Sequence, residues 1–194
     1  MLILASQSKH RARLLQSLGV PFTVQPAHVD ETPLPHEAPL AYVKRIALAK
    51  AAAVADKNPG SVVLAADTPV IVGRRILQTP QTEDEAAAML QMLSGRRVSI
   101  PTVVAMADAQ GKLHSKTAAS WVKFKRLSKA DIQAYVAAGA WQHVSGAVQL
   151  EGYAEPWITA MHGSYSGIIG LPLYETTLLL QRAGIATKPH GAGA

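Results

Sequence analysis

The sequence predicts an α/β fold, a mixed β-sheet flanked by helices, on three observations. Short apolar runs alternate with amphipathic helical patterns along most of the chain. Two long β-rich runs, residues 97–107 and 115–127, are joined only by a turn around DAQGK and so must pair antiparallel. The helical patterns end at their own stops, Gly19, Asn58-Pro59-Gly60 and Gly95. A chain of 194 residues, 48% apolar and 16% charged, can build a real hydrophobic core in one ordinary domain or two tightly joined lobes. With no internal repeat and no separating linker, residues 1–187 are expected to form a single α/β domain. The Gly, Ala, Pro and His tail 188–194 is expected to be disordered.

The elements follow in order. Residues 2–5 are a short apolar strand, and SQSKHRARLLQSLG then enters a helix with Leu14, Leu15 and Leu18 on one face. VPFTVQPA is a second strand. Four prolines and the acids Asp30, Glu31 and Glu37 make residues 26–39 a loop. An alanine-rich helix runs from Leu40 to about Lys57. SVVLAADTPVIVG is a buried strand that turns back through GRR into a short ILQ, a hairpin signal. TEDEAAAMLQMLSG is a helix with a capping box of Thr82 and Glu85 and acids in its first turn. After the antiparallel pair comes the helix SKADIQAYVAAG and an irregular stretch. SYSGIIGLPLYETTLLLQRAG closes the fold as loop, short buried strand, tight turn and helix, with Pro172 near the helix start.

Composition excludes several function classes. The absence of cysteine rules out disulfides, thiolate metal sites and cysteine nucleophiles. No apolar run approaches the roughly 18 residues needed to span a bilayer, and MLILASQSKH lacks the basic flank of a signal peptide. The expected setting is cytoplasmic, with no membrane partner. The net charge of +6 is spread over separate pairs such as Arg74-Arg75 and Arg96-Arg97, without a zinc-finger, helix-turn-helix or RNA-binding signature, so no nucleic-acid partner is expected. A solubilising surface accounts for most of it, and a small anionic ligand needs only a few converging cations.

Asp67 is the first candidate for chemistry. Burying an unpaired carboxylate costs several kcal/mol, so the acid needs donors, a cation or an edge position. Pro69 cannot donate to a ladder and places the strand's end or a bulge nearby. A carboxylate there can bind a divalent metal or take a proton from water; capping a loop or pairing one arginine is the alternative. The front turn ASQSKHRAR offers backbone N–H groups, serine hydroxyls and Arg11 to a phosphate, although Ser8 also reads as a plain N-cap. Arg45 and Lys50 lie about 140° apart around one helix, so at most one of them points at a given ligand. The seven histidines show no metal-binding spacing.

Taken in order, LILASQS with its following arginine, VDETP, the helix with R-x-x-x-x-K, LAADTPV, MLxxLSGR and GSYSGIIGLPLYET resemble the Maf family over roughly residues 2–184. The resemblance implies nucleoside triphosphate pyrophosphatases, which cut between the α- and β-phosphates to give a monophosphate and pyrophosphate. It also implies a curved sheet in two lobes around a central cleft, similar to the inosine triphosphate pyrophosphatase fold. By the same resemblance Asp67 is the general base and, with Glu31, holds a divalent cation, Mg²⁺, Mn²⁺ or Co²⁺. Ser6, Arg11, Lys50, Thr68, Thr102 and Glu151 contact the nucleoside triphosphate, and a homodimer is an open expectation.

The chain departs from the family pattern at several places. His10 stands for an arginine, Ala49 for an acid, His143 for an aspartate, and Thr79 and Val144 for lysines. Glu151 matches one sub-branch and Thr68 the other, so base preference is not carried over. Arg74 and Arg75 are the nearest cations that could stand in for a lysine at 79. A nucleotide-binding protein with weak or no catalysis is the second reading.

Overall fold

The computed structural model describes residues 1–187, and the expectation for residues 188–194 lies outside them. Two five-stranded sheets, flanked by helices, carry the fold. The first has β1 (Leu2–Leu4) between β2 (Thr23–Val24) and β3 (Val62–Asp67), parallel to both. It continues antiparallel through β7 (Thr102–Ala107) to β8 (Leu113–Ala118). The second is wholly antiparallel, in the order β10 (Ile158–His162), β9 (Trp121–Phe124), β6 (Arg97–Ser99), β4 (Val70–Val72) and β5 (Arg75–Leu77).

Three chain segments cross from one sheet to the other with two-residue breaks: Thr68-Pro69, Ile100-Pro101 and Ala119-Ser120. The runs read as single long strands, 61–73, 97–107 and 115–127, are therefore each divided. Pro69 and Pro101 have no N–H to give a ladder, and the crease lies where they stand. One backbone bond still bridges it, from Ile100 N to Ser120 O at 2.8 Å. The curvature expected of one mixed sheet is concentrated in this line.

Helices cover both faces of the first sheet. The helix α2 (Pro39–Ala55) packs Tyr42, Val43, Ile46, Ala47, Ala51 and Val54 against Ile3, Val63, Ala65, Val103 and Ala105. Proline at its first position suits a turn whose N–H groups have no partner inside the helix. On the other face α1 (Lys9–Gln16) contributes Leu15, and α6 (Leu173–Arg182) contributes Leu179 and Leu180. The second sheet packs on α3 (Glu83–Leu93) and α4 (Lys129–Ala137) through Leu90, Leu93, Val98, Val122, Phe124, Ile132 and Tyr135.

Local expectations are corrected in four places. Leu18 lies past the end of α1, which stops at Gln16. Thr82 caps α3 through Glu85 N, but the Glu85 carboxylate reaches Gln81 N at 2.7 Å rather than Thr82, so the box is open on one side. The complete capping box belongs to α4, between Ser128 and Asp131. The stretch GII is helical, within α5 (Tyr165–Ile169), and ITAMH, read as irregular, is the edge strand β10. An apolar run of three residues carries no period to separate helix from strand, and here the Ser164 cap decides, accepting from Gly167 N at 3.0 Å.

Candidate active site

The site forms where β3 ends at the crease. Asp67 is the last residue of β3 and is buried. Its Oδ1 accepts a hydrogen bond from Lys50 Nζ at 2.9 Å, and the same ammonium lies 3.0 Å from Glu31 Oε1. Asp67 is thus the acid its burial requires: a carboxylate at a strand end, with a cation against it. Lys50 arrives from the inner part of α2, while Arg45 points away and pairs with Glu37 at 2.7 Å. That division follows from their angular separation around the helix. Glu31 comes from the loop 26–38, which Tyr42 steadies by donating its hydroxyl to Glu31 O at 3.0 Å.

Arg11 builds the second half. Its Nε donates to Gly170 O at 2.9 Å, its Nη1 to Ser6 Oγ at 3.3 Å and its Nη2 to Thr68 Oγ1 at 3.4 Å. Burial pushes its guanidinium below the ordinary value, and the charges of Asp67 and Glu31 oppose that. Gly170 lies at φ +132°, and a Cβ there would stand 3.3 Å from Arg11 Cγ and Nε. A side chain at 170 would crowd the arginine out of its seat. Thr102 Oγ1 lies 3.0 Å from Thr68 Oγ1 and donates to Gly167 O at 2.7 Å. The segment GSYSGIIGLP is held to the crease by Gly163 as well, where an added Cβ would fall 2.4 Å from Ala119 O.

A cleft of about 590 Å³ opens beside these groups. Ser6, Ser8, Arg11, His28, Glu31 and Lys50 line it from the first sheet's side, and Thr79 and His143 from the second. Ser8 also caps α1, accepting from Arg11 N at 3.3 Å. The plain N-cap reading of Ser8 therefore holds, and the capped helix start is itself part of the cleft wall.

The structure brings Ser6, Arg11, Glu31, Lys50, Asp67, Thr68 and Thr102 together. It does not bring Glu151 into that cluster. Glu151 accepts from His10 Nδ1 at 2.8 Å and from Arg13 Nη2, beside a smaller pocket lined by His10, Val144, Leu150 and Ile168. Burial pushes its carboxyl up, but Arg13 and His10 outweigh that and hold it below the usual carboxylate value. Arg74 and Arg75 are exposed at the β4–β5 turn and do not line the cleft. Sequence reasoning missed Tyr42, the Gly167 and Gly170 carbonyls and His28, and placed His143 only as a departure from the family pattern. A buried tyrosine on the α2 face and a Gly-Leu-Pro turn were available signals for the first three, and nothing marked His28.

The chain matches the family described as Maf-like protein over residues 1–183. The chain belongs to the Maf family. Among similar Maf proteins, the dTTP/UTP pyrophosphatase of Paramagnetospirillum magneticum is 46% identical over 96% of this chain and 98% of its own length. The dTTP/UTP pyrophosphatase of Caulobacter vibrioides is 46% identical over 97% of each. A protein of Ehrlichia canis named nucleoside triphosphate pyrophosphatase is 44% identical over 93% of this chain and 95% of its own. Beyond the Maf sequences, the solved structure of a HAM1 protein from Coxiella burnetii is similar in fold, with a TM-score of 0.54 at 17% identity over 94% of this chain and 98% of that one. Among the described residues no helix is long and apolar enough to cross a membrane.

Proposed function

We propose that this Maf protein is a nucleoside triphosphate pyrophosphatase that hydrolyses the α–β phosphate bond, releasing a nucleoside monophosphate and pyrophosphate. Asp67, held by Lys50, which itself lines a polar cleft, is the observation that carries the reading. The names of its relatives support it and put dTTP and UTP first among the substrates to test.

The residues divide the chemistry. Ser6, Ser8 and the start of α1 offer hydroxyls and N–H groups to phosphate oxygens, and Arg11 and Lys50 supply positive charge. Asp67 takes a proton from the attacking water as its oxygen bonds to phosphorus, while the bond from phosphorus to the bridging oxygen breaks and pyrophosphate leaves. Lys50 engages Oδ1 and fixes the carboxylate's orientation. Thr68 and Thr102, tied to the Gly167–Gly170 segment, keep the end of β3 and Arg11 in register.

The donor set fits a hard divalent cation that arrives with the triphosphate. Two carboxylates, Asp67 and Glu31, converge within 3.0 Å of one point, the Lys50 ammonium. Among the described residues no group of three His, Asp or Glu forms a cage. Magnesium is commonly held this way, by one or two carboxylates plus substrate phosphates and water. Bound Mg²⁺, Mn²⁺ or Co²⁺ would neutralise phosphate charge.

The test is pyrophosphate release from a panel of ordinary and modified triphosphates with each of these metals, for the wild type and Asp67→Asn. Equal release by the two proteins defeats the mechanism. Calorimetric binding of triphosphate without turnover by the wild type selects the nucleotide-binding alternative.

A further inference from the structure

The charges in the cleft do not suffice for the ligand proposed for it. Among its lining residues the permanent cations are Arg11, from α1, and Lys50, from α2. Both are already engaged, Lys50 with Asp67 and Glu31, Arg11 with Gly170 O, Ser6 and Thr68. Two cations face two carboxylates, and the fixed charges cancel. Thr79, from the loop after β5, adds none. A triphosphate carries more negative charge than the divalent cation arriving with it offsets, so this neutral surround still needs further positive charge to hold it.

Two titratable groups remain on the walls. His28 lies on the loop 26–38, and His143 follows α4, on the opposite side of the cleft. Neither ring has a hydrogen-bond or ion-pair partner among the described residues. His10 and His114, which lie off this cleft, are each bound to a carboxylate at 2.8 Å, Glu151 and Asp108. His143 also sits at φ +62°, in the left-handed region. It presents a free imidazole to the cleft from the lobe that supplies no other charge there.

We infer that His143, with His28 on the same cleft, is a phosphate-binding residue that takes up a proton as the triphosphate enters. The inference rests on the pyrophosphatase reading and deepens it: the two histidines supply from opposite walls the charge that Arg11 and Lys50 cannot. An adjacent polyanion favours the charged form of an imidazole. Binding therefore weakens as pH rises, by up to about tenfold per pH unit for each histidine that must protonate.

Calorimetry with an α,β-methylene analogue of thymidine triphosphate, in two buffers of different ionisation heat, reads the proton directly. His143→Asn is the informative variant, because asparagine accepts a left-handed backbone but carries no charge. Near pH 7 the wild type should take up protons on binding and His143→Asn clearly fewer. Affinity should fall from pH 6 to 8 more steeply in the wild type than in the variant. In turnover the variant's KM should rise about tenfold, more than its kcat falls, and His143→Lys should restore KM. Equal proton uptake and equal pH slopes in wild type and variant would overturn the inference and leave the pyrophosphatase reading standing. No binding of the analogue at any pH would overturn both.

Discussion

Two carboxylates in this protein meet their partners in inverse ratios, one sharing a cation and the other holding two basic side chains, with opposite physical consequences. Asp67 shares Lys50 with Glu31 at the crease, where Asp67 is buried and the lysine side chain is 12% exposed. Glu151 holds Arg13 and His10 at the rim, where the arginine side chain is 62% exposed. Around Asp67 and Lys50 little water remains to screen the charges, although Glu31 is half exposed, so the buried pair depends on its partners' positions. At the rim water competes for every bond, and an exposed pair contributes little. Residue types alone do not distinguish the two networks; depth does.

The sharpest way to break this contrast is Asp67→Asn. It keeps shape and a hydrogen-bond acceptor but removes the proton acceptor, and the turnover number should fall by about 10²–10⁴-fold, as read by pyrophosphate release. Next is Lys50→Met, which leaves Asp67 and Glu31 facing each other without a cation. A loss of about 2–3 kcal/mol in denaturant unfolding is expected, below the full cost of breaking a buried pair because Glu31 can rehydrate.

The clamp between Arg45 and Glu37, which anchors the Glu31 loop, gives a pH test. The hydrogen bond from Arg45 holds the Glu37 carboxyl down at about 2. A depressed carboxyl stabilises the fold above its unfolded value, near 4.5, and that contribution is lost as pH falls toward 2. Protease cleavage within residues 26–38 should therefore stay slow through pH 4.5 and rise only toward 2, whereas Glu37→Gln should be cut faster throughout. The smallest effect belongs to the rim: Arg13→Ala should change unfolding free energy by less than about 1 kcal/mol. A loss as large as that of Lys50→Met would erase the distinction between the two regions.

How much of this was legible in the sequence depends on the range of the interaction involved. The helices were readable because caps, stops and periodic apolar residues are local, as Ser8, Thr82 and Gly95 illustrate. Asp67 was readable for a similar reason, a charge inside an apolar run beside a proline. The crease was half-visible: Pro69 marked one break, but Ala119-Ser120 carries no proline, and its bend follows from pairing with strands far away in sequence. The Glu151 network was not legible, since nothing within a few residues of Glu151 signals that His10 and Arg13, about 140 residues earlier, will meet it. The same holds for Gly170, whose carbonyl seats Arg11 from 159 residues away.

The crease has a consequence for how the molecule comes apart. Three chain segments pass through it from one sheet to the other, so neither lobe can lose its pairing without pulling on the crease end of β3, β7 or β8. Asp67 and Thr102 stand on two of those crossings. The groups assigned to chemistry thus sit on the seam through which both cores are coupled, and melting either half dismantles the site along with the whole.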